Sequence, residues 1–373
     1  MTDVLNVVLN SFKHDSRVLK SSHALQSYGF GLLVVALHED GLLEDDTVRG
    51  IKVDRVKLVS RPWPKAKVIQ AIKYLEFLVR AVARYRRYKI VHCNDLNALP
   101  VGVLIKLFGS QVKVVYDCHE YETEINGLSR LEKQGRRLLE RILLRFVDGV
   151  ITVSDSIAEE YVRLYGISKP NLVLNCPPRY EPPRQDLFRE SLGIRDDQRI
   201  FLYQGGLSRG RGIELLLEAF EGLVTNTHVL VCMGYGPLEP MVRKKASQSP
   251  NVFFHEAVSP DVLLNYTSSA DYGVAFIEDS CLNYRYCLPN KLFEYLMAGI
   301  PVMTSNLVEM KRLVEREGVG IVAKDNTVDG FRHAIAASIE QDYDAVLGNV
   351  HRAREKYCWE NQVKVLKEVY DAV

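Results

Sequence analysis

The chain reads as an α/β protein made of two doubly wound, parallel-sheet halves, and three observations predict it. Short apolar runs of strand character alternate with amphipathic helical stretches along the 373 residues. Parallel strands need crossover helices, so this alternation implies doubly wound sheets. The alternation pauses at Cys176–Arg184 (CPPRYEPPR), where four prolines in nine residues exclude helix interior and central strand. The length also suits two domains, at roughly 150 residues each, both large enough to bury a core.

In the first half, Val4–Leu9 is a β-branched run and Asp15–Tyr28 a helix stopped by Gly29. Leu32–Leu37 is a continuous apolar strand of the kind buried on both faces. Pro64–Lys89 reads as a long helix with Val68, Ile72, Leu75, Val79 and Val82 on one stripe. Strands follow at Ile90–Cys93, Val112–Asp117 and Gly149–Val153, then a helix Ser154–Tyr165 opened by Ser154-Asp155-Ser156. After the proline-rich segment come strand Ile200–Gln204, helix Ile213–Gly222, strand His228–Met233, helix Leu238–Ser247 and strand Val252–His255. Strand Tyr272–Ile277, helix Pro289–Met297, strand Pro301–Thr304 and a last helix from about Glu360 complete the pattern. The expected division is residues 1–175, a linker 176–185, residues 186–357, and a closing segment 358–373.

Composition narrows the function classes. Lys and Arg number 48 against 47 Asp and Glu, 47% of residues are hydrophobic and 25% charged. That mix excludes a disordered, collagen-like or coiled-coil chain. The longest apolar run, Tyr28–Leu37, has ten residues, and a bilayer span needs about 20. The N-terminus lacks the basic and apolar regions of a secretory leader. Seven cysteines, with no CxxC pair, argue against a disulfide framework or zinc knuckle. The expected location is cytoplasmic and reduced, with peripheral contact on the cytosolic face of a membrane as the second option.

The most informative segment is Leu202–Phe220 (LYQGGLSRGRGIELLLEAF). A strand runs into Gly205-Gly206, then Arg209, Arg211 and Gly212, then a helix. Glycines let a bulky anion reach the backbone, a helix start offers free N–H donors, and guanidinium groups bridge phosphate oxygens. The constellation suits a diphosphate; a plain strand-to-helix turn with surface arginines is the bland alternative. Neither GxGxxG after a first strand nor GxxxxGK[ST] occurs, which argues against a nicotinamide dehydrogenase and a P-loop nucleotidase. The second segment is Tyr284–Val302 (YRYCLPNKLFEYLMAGIPV). Pro289 opens a helix, Lys291 lies in its first turn, and Glu294 shares a face with Lys291. Backbone N–H groups of Asn290, Lys291 and Leu292 can hold a diphosphate while the Glu294 carboxylate accepts both ribose hydroxyls. Here the bland alternative is a surface Lys–Glu pair.

The motifs GGLxxxRG with LLLEAF, GYGPLE, SSADYGVAF and PNKLFEYLMAGIPV in the second half resemble the donor-binding half of the retaining GT-B glycosyltransferases of glycosyltransferase family 4 (glycosyl transferases group 1). DSRVLK (Asp15–Lys20), YDCHE (Tyr116–Glu120) and DGVITVSDSI (Asp148–Ile157) are similar to the family's first half, and KYCWENQVKVLKEVY to its closing helix. The resemblance implies a GT-B fold: two Rossmann-like domains facing across a cleft, with the C-terminal helix crossing back to the first. It implies His119, Arg211 and Glu294 as catalytic. Donor binding then falls to Gly206, Arg209, Arg211, Tyr235, Val258, Asn290, Lys291, Leu292 and Glu294, and the acceptor side to Asp15, Arg17 and Glu120. Arg211 stands where the family usually has Lys. Gly206 replaces an Arg, with Arg209 as its substitute. Tyr286 stands where the family's first Glu of Glu-x7-Glu falls, and Asp15 and Arg17 replace a Gly-Gly loop.

The implied reaction moves a sugar from a nucleotide diphosphate donor, UDP favoured over GDP, to a glycan or lipid-linked acceptor with retention. The leaving diphosphate takes the acceptor's proton, and Arg209, Arg211, Lys291 and helix starts stabilise its charge, with no metal and no cofactor. The lone Asp-x-Asp, Asp342-Tyr343-Asp344, lies in a polar stretch and reads as surface. A sugar-nucleotide epimerase of the same architecture and a non-catalytic binding subunit are the competing readings. Residues 1–183 carry 27 basic and 21 acidic groups, a net of +6, leaving −5 for the rest. The stretch Lys65–Lys89 has eight basic residues and one acidic. With its apolar stripe it fits an anionic membrane, or, the favoured reading, a solvated face over a core stripe. Nucleic acid is not expected, because no aromatics interleave the basic residues.

Overall fold

In the computed structural model, which describes residues 3–13, 15–223 and 227–373, the chain divides into two units. One comprises the residues up to Val173 with Val363–Val373, and the other comprises Leu174–Gln362. The proline-rich segment therefore travels with the second unit, while the end of the closing helix belongs to the first.

The first unit is built on β1 (Asp3–Val7), β2 (Gly31–Leu37), β3 (Asp45–Val48), β4 (Ile51–Val56), β5 (Ile90–Asn94), β6 (Lys113–Cys118), β7 (Gly149–Thr152) and β8 (Asn171–Leu172). Their order is β3-β4-β2-β1-β5-β6-β7-β8. Every pairing is parallel except β3 with β4. That hairpin turns on Arg49 and Gly50, both at positive φ (46° and 84°), the two-residue turn whose twist suits a tight connection. Helices Ser16–Ser27 and Asp155–Tyr165 start where serine and aspartate cap them: Asp15 accepts from the Val18 N–H, and Ser154 from the Ile157 N–H. A full capping box, Ser129 with Glu132, opens the helix Arg130–Leu143. The closing helix Trp359–Ala372 sends Tyr370 to His92 (2.8 Å), and Val369 lies against Gly149, where a β-carbon would meet it at 3.1 Å.

The second unit carries β9 (Arg199–Gln204), β10 (His228–Met233), β11 (Val252–His255), β12 (Tyr272–Ala275), β13 (Val302–Thr304) and β14 (Gly320–Val322). The order β11-β10-β9-β12-β13-β14 is all parallel. Alternate residues of β9 serve two cores: Ile200 and Leu202 join one, Phe201 and Tyr203 the other. Burial on both faces is why this strand reads as an unbroken apolar run. The strand order reverses between β9 and β12, and ligands of such sheets bind beyond the carboxyl ends at that point.

One expectation is overturned. The helix predicted over Pro64–Lys89 runs Lys67–Tyr85, and its stripe is not core: Val68, Ile72, Leu75 and Val79 are exposed. Lys73, Phe77, Ala81 and Tyr85 face inward instead. Lys73 is accommodated there because its Nζ donates to the carbonyls of Arg61 (3.0 Å) and Trp63 (2.6 Å).

Candidate active site

The turn after β9 is shaped by backbone approach. Gly205 (φ +114°) and Gly234 pass so closely that a β-carbon on Gly234 would sit 2.0 Å from the Gly205 carbonyl oxygen. A β-carbon on Gly236 (φ +150°) would meet the Leu207 carbonyl oxygen at 2.5 Å. The Leu207 N–H donates to the Tyr235 carbonyl at 2.9 Å, which stitches the turn to the loop after β10. Gly206 faces open space, and Tyr235 is exposed beside it.

Arg209 is exposed and Arg211 half-buried; among the described residues neither forms an ion pair. Arg211 lies 5.0 Å from the Tyr284 ring centroid, and Tyr284 in turn packs on Gly210. The helix Ile213–Glu221 begins at Gly212 (φ +70°) with no side-chain cap. The helix Asn290–Met297 begins at Pro289, also without one. The Leu292 N–H already donates to the Pro289 carbonyl (3.0 Å), so of the three predicted amides those of Asn290 and Lys291 remain suited to an anion. The Asn290 side chain accepts from Asn175 at 3.0 Å.

Lys291 is the most informative side chain. Its stem is partly exposed, but its Nζ is buried and has no hydrogen-bond partner among the described residues. It sits 3.5 Å from the Tyr203 ring centroid and against Gly205. Burial, then the nearby Arg211 charge, push it down to about 7, against the pull of Glu294. Glu294 is held by Gln204, whose Nε2 donates to it at 2.5 Å, while Thr267 Oγ1 donates to Gln204 Oε1 at 2.7 Å. The whole helix is pegged by fully buried Tyr295. Its hydroxyl contacts the carbonyls of Leu202 and Val274 at 3.0 and 3.1 Å, and its ring lies where a side chain on Gly273 would collide. Gln204 and Thr267 carry no motif signal; the bonds Gln204 to Glu294 and Thr267 to Gln204 span 90 and 63 residues and are visible only in the fold. Val258 packs at the edge of the core, and Tyr286 ends the short helix Leu282–Arg285.

The remaining predicted residues belong to the first unit. His119 follows β6, its Nε2 3.3 Å from Asp95 Oδ1 and its buried Nδ1 without a hydrogen-bond partner among the described residues. Asp95, which the sequence reading missed, opens a helix after β5 at φ +64°, a strained setting for a residue other than glycine. Burial raises both Asp95 and its neighbour Glu122, and each raises or is bonded to the other, so this carboxyl pair favours retaining a proton. Glu120 is exposed. Asp15 caps its helix and accepts from Asn10 at 2.8 Å.

Arg17 is not an acceptor-facing residue. Its Nε and Nη2 donate to Asp117 at 2.9 and 2.7 Å, and its Nη1 to the Val173 carbonyl at 3.0 Å, all buried. Burial would raise Asp117, but the Arg17 charge, the Arg17 hydrogen bonds and His92 3.6 Å away outweigh it and hold the carboxyl far below its usual range. Among the described residues, no three His, Cys, Asp or Glu side chains gather as a metal-ligand set.

The comparisons with known proteins agree with this architecture. The model for Glycosyltransferase Family 4 matches residues 16–176, and that for Glycosyl transferases group 1 matches residues 198–341. An uncharacterized glycosyltransferase of Methanocaldococcus jannaschii is 25% identical over 362 residues, covering 88% of this chain and 86% of its own. Sucrose-phosphate synthase from Thermosynechococcus elongatus superposes with a TM-score of 0.78 at 18% identity, over 100% of this chain and 98% of that one. HepE of Anabaena, solved with UDP, superposes with a TM-score of 0.78 at 15% identity over the whole of both chains. The fold and the paired family matches make this protein a GT-B glycosyltransferase. It belongs to glycosyltransferase family 4, group 1.

Proposed function

We propose that this enzyme transfers a sugar from a UDP-sugar to a hydroxyl of a glycan or lipid-linked acceptor, with retention of anomeric configuration and without a metal ion. The observation that carries the reading is the buried Lys291 ammonium, without a hydrogen-bond partner among the described residues, beside Arg211, two cations from separate elements at the switch point of the second sheet. An unpaired buried charge is costly, and a diphosphate supplies what it lacks. HepE, a fold neighbour, has been solved with UDP and with UDP-glucose, which supports UDP as the carrier.

In this reading the Asn290 and Lys291 amides, the uncapped helix at Gly212, and Arg209, Arg211 and Lys291 hold the diphosphate. Glu294, fixed by Gln204, accepts the two ribose hydroxyls. The bond from the anomeric carbon to the diphosphate oxygen breaks as the acceptor oxygen bonds to that carbon on the same face. The acceptor's proton passes to the departing diphosphate oxygen, whose charge the cations stabilise. In the first unit His119, with Asp95 3.3 Å from its Nε2, is the candidate catalytic side chain.

The test is titration calorimetry with UDP and GDP, followed by product analysis with UDP-sugars in the presence and absence of oligosaccharide acceptors. The expected result is micromolar UDP binding and acceptor-dependent transfer. A folded protein that binds neither nucleotide refutes the reading, and conversion of the donor sugar without acceptor replaces transfer by epimerisation.

A further inference from the structure

Arg211 and Lys291 each lie against an aromatic ring. Lys291 Nζ is 3.5 Å from the Tyr203 ring centroid, and the Arg211 guanidinium carbon is 5.0 Å from that of Tyr284. Among the described residues neither side chain is hydrogen-bonded or ion-paired to an oxygen. Other cations near rings are treated differently. Arg84, Arg199, Arg243, Lys356 and Lys367 also lie beside aromatic rings. Each is bonded to an oxygen as well: Asp54, the Ser338 carbonyl, Glu239, Glu317 and Asp371 in turn. At Arg211 and Lys291 the ring is present without the oxygen.

The difference has chemical meaning. An aromatic face attracts a cation through its quadrupole. A carboxylate in the same place would bond the N–H groups and compete with a bound diphosphate. A ring holds the cation and leaves those donors to a ligand.

The rings are themselves fixed. Tyr203 is fully buried on β9, and its hydroxyl donates to the Gly206 carbonyl at 2.9 Å. It therefore ties Lys291 to the glycine turn. Tyr284 belongs to the short helix Leu282–Arg285 and lies on Gly210, where a β-carbon would meet its ring at 2.9 Å. Two contacts hold that segment in place. The Glu278 N–H donates to the Gly210 carbonyl at 3.1 Å, and Arg285 forks onto Asp279 at 2.9 and 3.0 Å. The Tyr203 hydroxyl lies within electrostatic reach of both Arg211 and Tyr284, so cations and rings form one cluster.

We propose that Tyr203 and Tyr284 are positioning residues of the donor site, whose ring faces aim Lys291 and Arg211 at the diphosphate while leaving their N–H donors free. The inference rests on the donor-site reading above and adds to it the groups that place its cations.

The experiment is calorimetric titration of the full chain with UDP, for the native protein, Tyr284→Phe, Tyr284→Leu, and Tyr284→Leu combined with Arg211→Ala. Tyr284 is half-buried, and melting temperatures close to native are expected for its variants. Tyr284→Leu should weaken UDP binding by about tenfold, and Tyr284→Phe should stay within about twofold of native, because the ring face and not the hydroxyl holds the guanidinium. In the Arg211→Ala background Tyr284→Leu should add no further loss, since the ring acts through the cation. Tyr203→Leu should likewise lose more affinity than Tyr203→Phe, and the excess should vanish in a Lys291→Met background. If the buried Tyr203→Leu variant does not fold, the Tyr284 set decides alone. Equal losses in the Phe and Leu variants, no loss in either, or a loss in Tyr284→Leu that persists undiminished without Arg211 overturns the proposal. A native chain that binds neither UDP nor GDP fells the donor-site reading and this inference with it, a result told apart from the others because it needs no variant.

Discussion

Two cationic clusters, one in each unit, resolve their charge in opposite ways. In the first unit Arg17 spends three nitrogens on Asp117 and the Val173 carbonyl, and Asp117 receives further support from His92. Every charge there is answered from within the chain. In the second, Lys291 has no hydrogen-bond partner among the described residues and Arg211 adds like charge beside it. The first cluster is finished by folding; under the proposed function the second is finished by an anion. Buried ions cost free energy unless paired, so this contrast, more than residue type, separates architecture from a candidate binding site, since both clusters contain an arginine.

Breaking the finished cluster should have the largest effect. Asp117→Ala strands a buried guanidinium and is expected to cost about 3–5 kcal/mol of stability, read as the denaturant midpoint; a loss under about 1 kcal/mol would show Arg17 relocating to solvent. At the unfinished cluster the deficit should move to turnover. Arg211→Ala and Glu294→Ala are expected to lower kcat/KM by about 10²–10³, as removal of one charge-stabilising group does, with melting temperatures little changed. A matched fall in stability would return these residues to architecture. The finest test is Lys291→Met, which removes the unanswered charge: stability should rise by about 1–3 kcal/mol while UDP-sugar affinity falls. The sign follows from the direction of the shift. Lys291 is pushed down to about 7 from an ordinary 10.5, so its charged form penalises the fold fully below pH 7, and the penalty fades as pH rises towards the unfolded value. The gain from Met should therefore be largest at pH 6 and shrink by pH 9. Donor affinity of the native enzyme should fall above pH 7, by at most about tenfold per unit; a flat profile would mean Lys291 stays charged throughout.

The candidate donor-side constellation could be proposed from sequence because its parts are local. Gly205 to Gly212 and Pro289 to Glu294 each lie within a few residues on one strand-to-helix turn, where glycine, proline and charge have positional meaning. Arg17 was misread for the converse reason: its partner is 100 residues away, and no local pattern distinguishes a guanidinium facing an acceptor from one facing a buried carboxylate. Asp95 escaped notice because its interest lies in a positive φ and a neighbour 24 positions on, His119. The stripe on Lys67–Tyr85 shows a further limit. Periodicity says that Val68, Ile72, Leu75 and Val79 share a face, and says nothing about whether that face is covered.

By itself, then, the order of residues did not disclose β3, β4, β8 and β14, but indicated two doubly wound halves, seven of the fifteen α-helices found among the described residues and the glycine- and arginine-rich turns. These follow from backbone preferences and from apolar periodicity over a few turns of chain. The tertiary structure alone decided which apolar face meets the core, which cation is neutralised, and how Gln204 and Thr267 aim Glu294. Those outcomes depend on desolvation and on contacts between segments far apart in sequence, and such energies exist only once the segments have met.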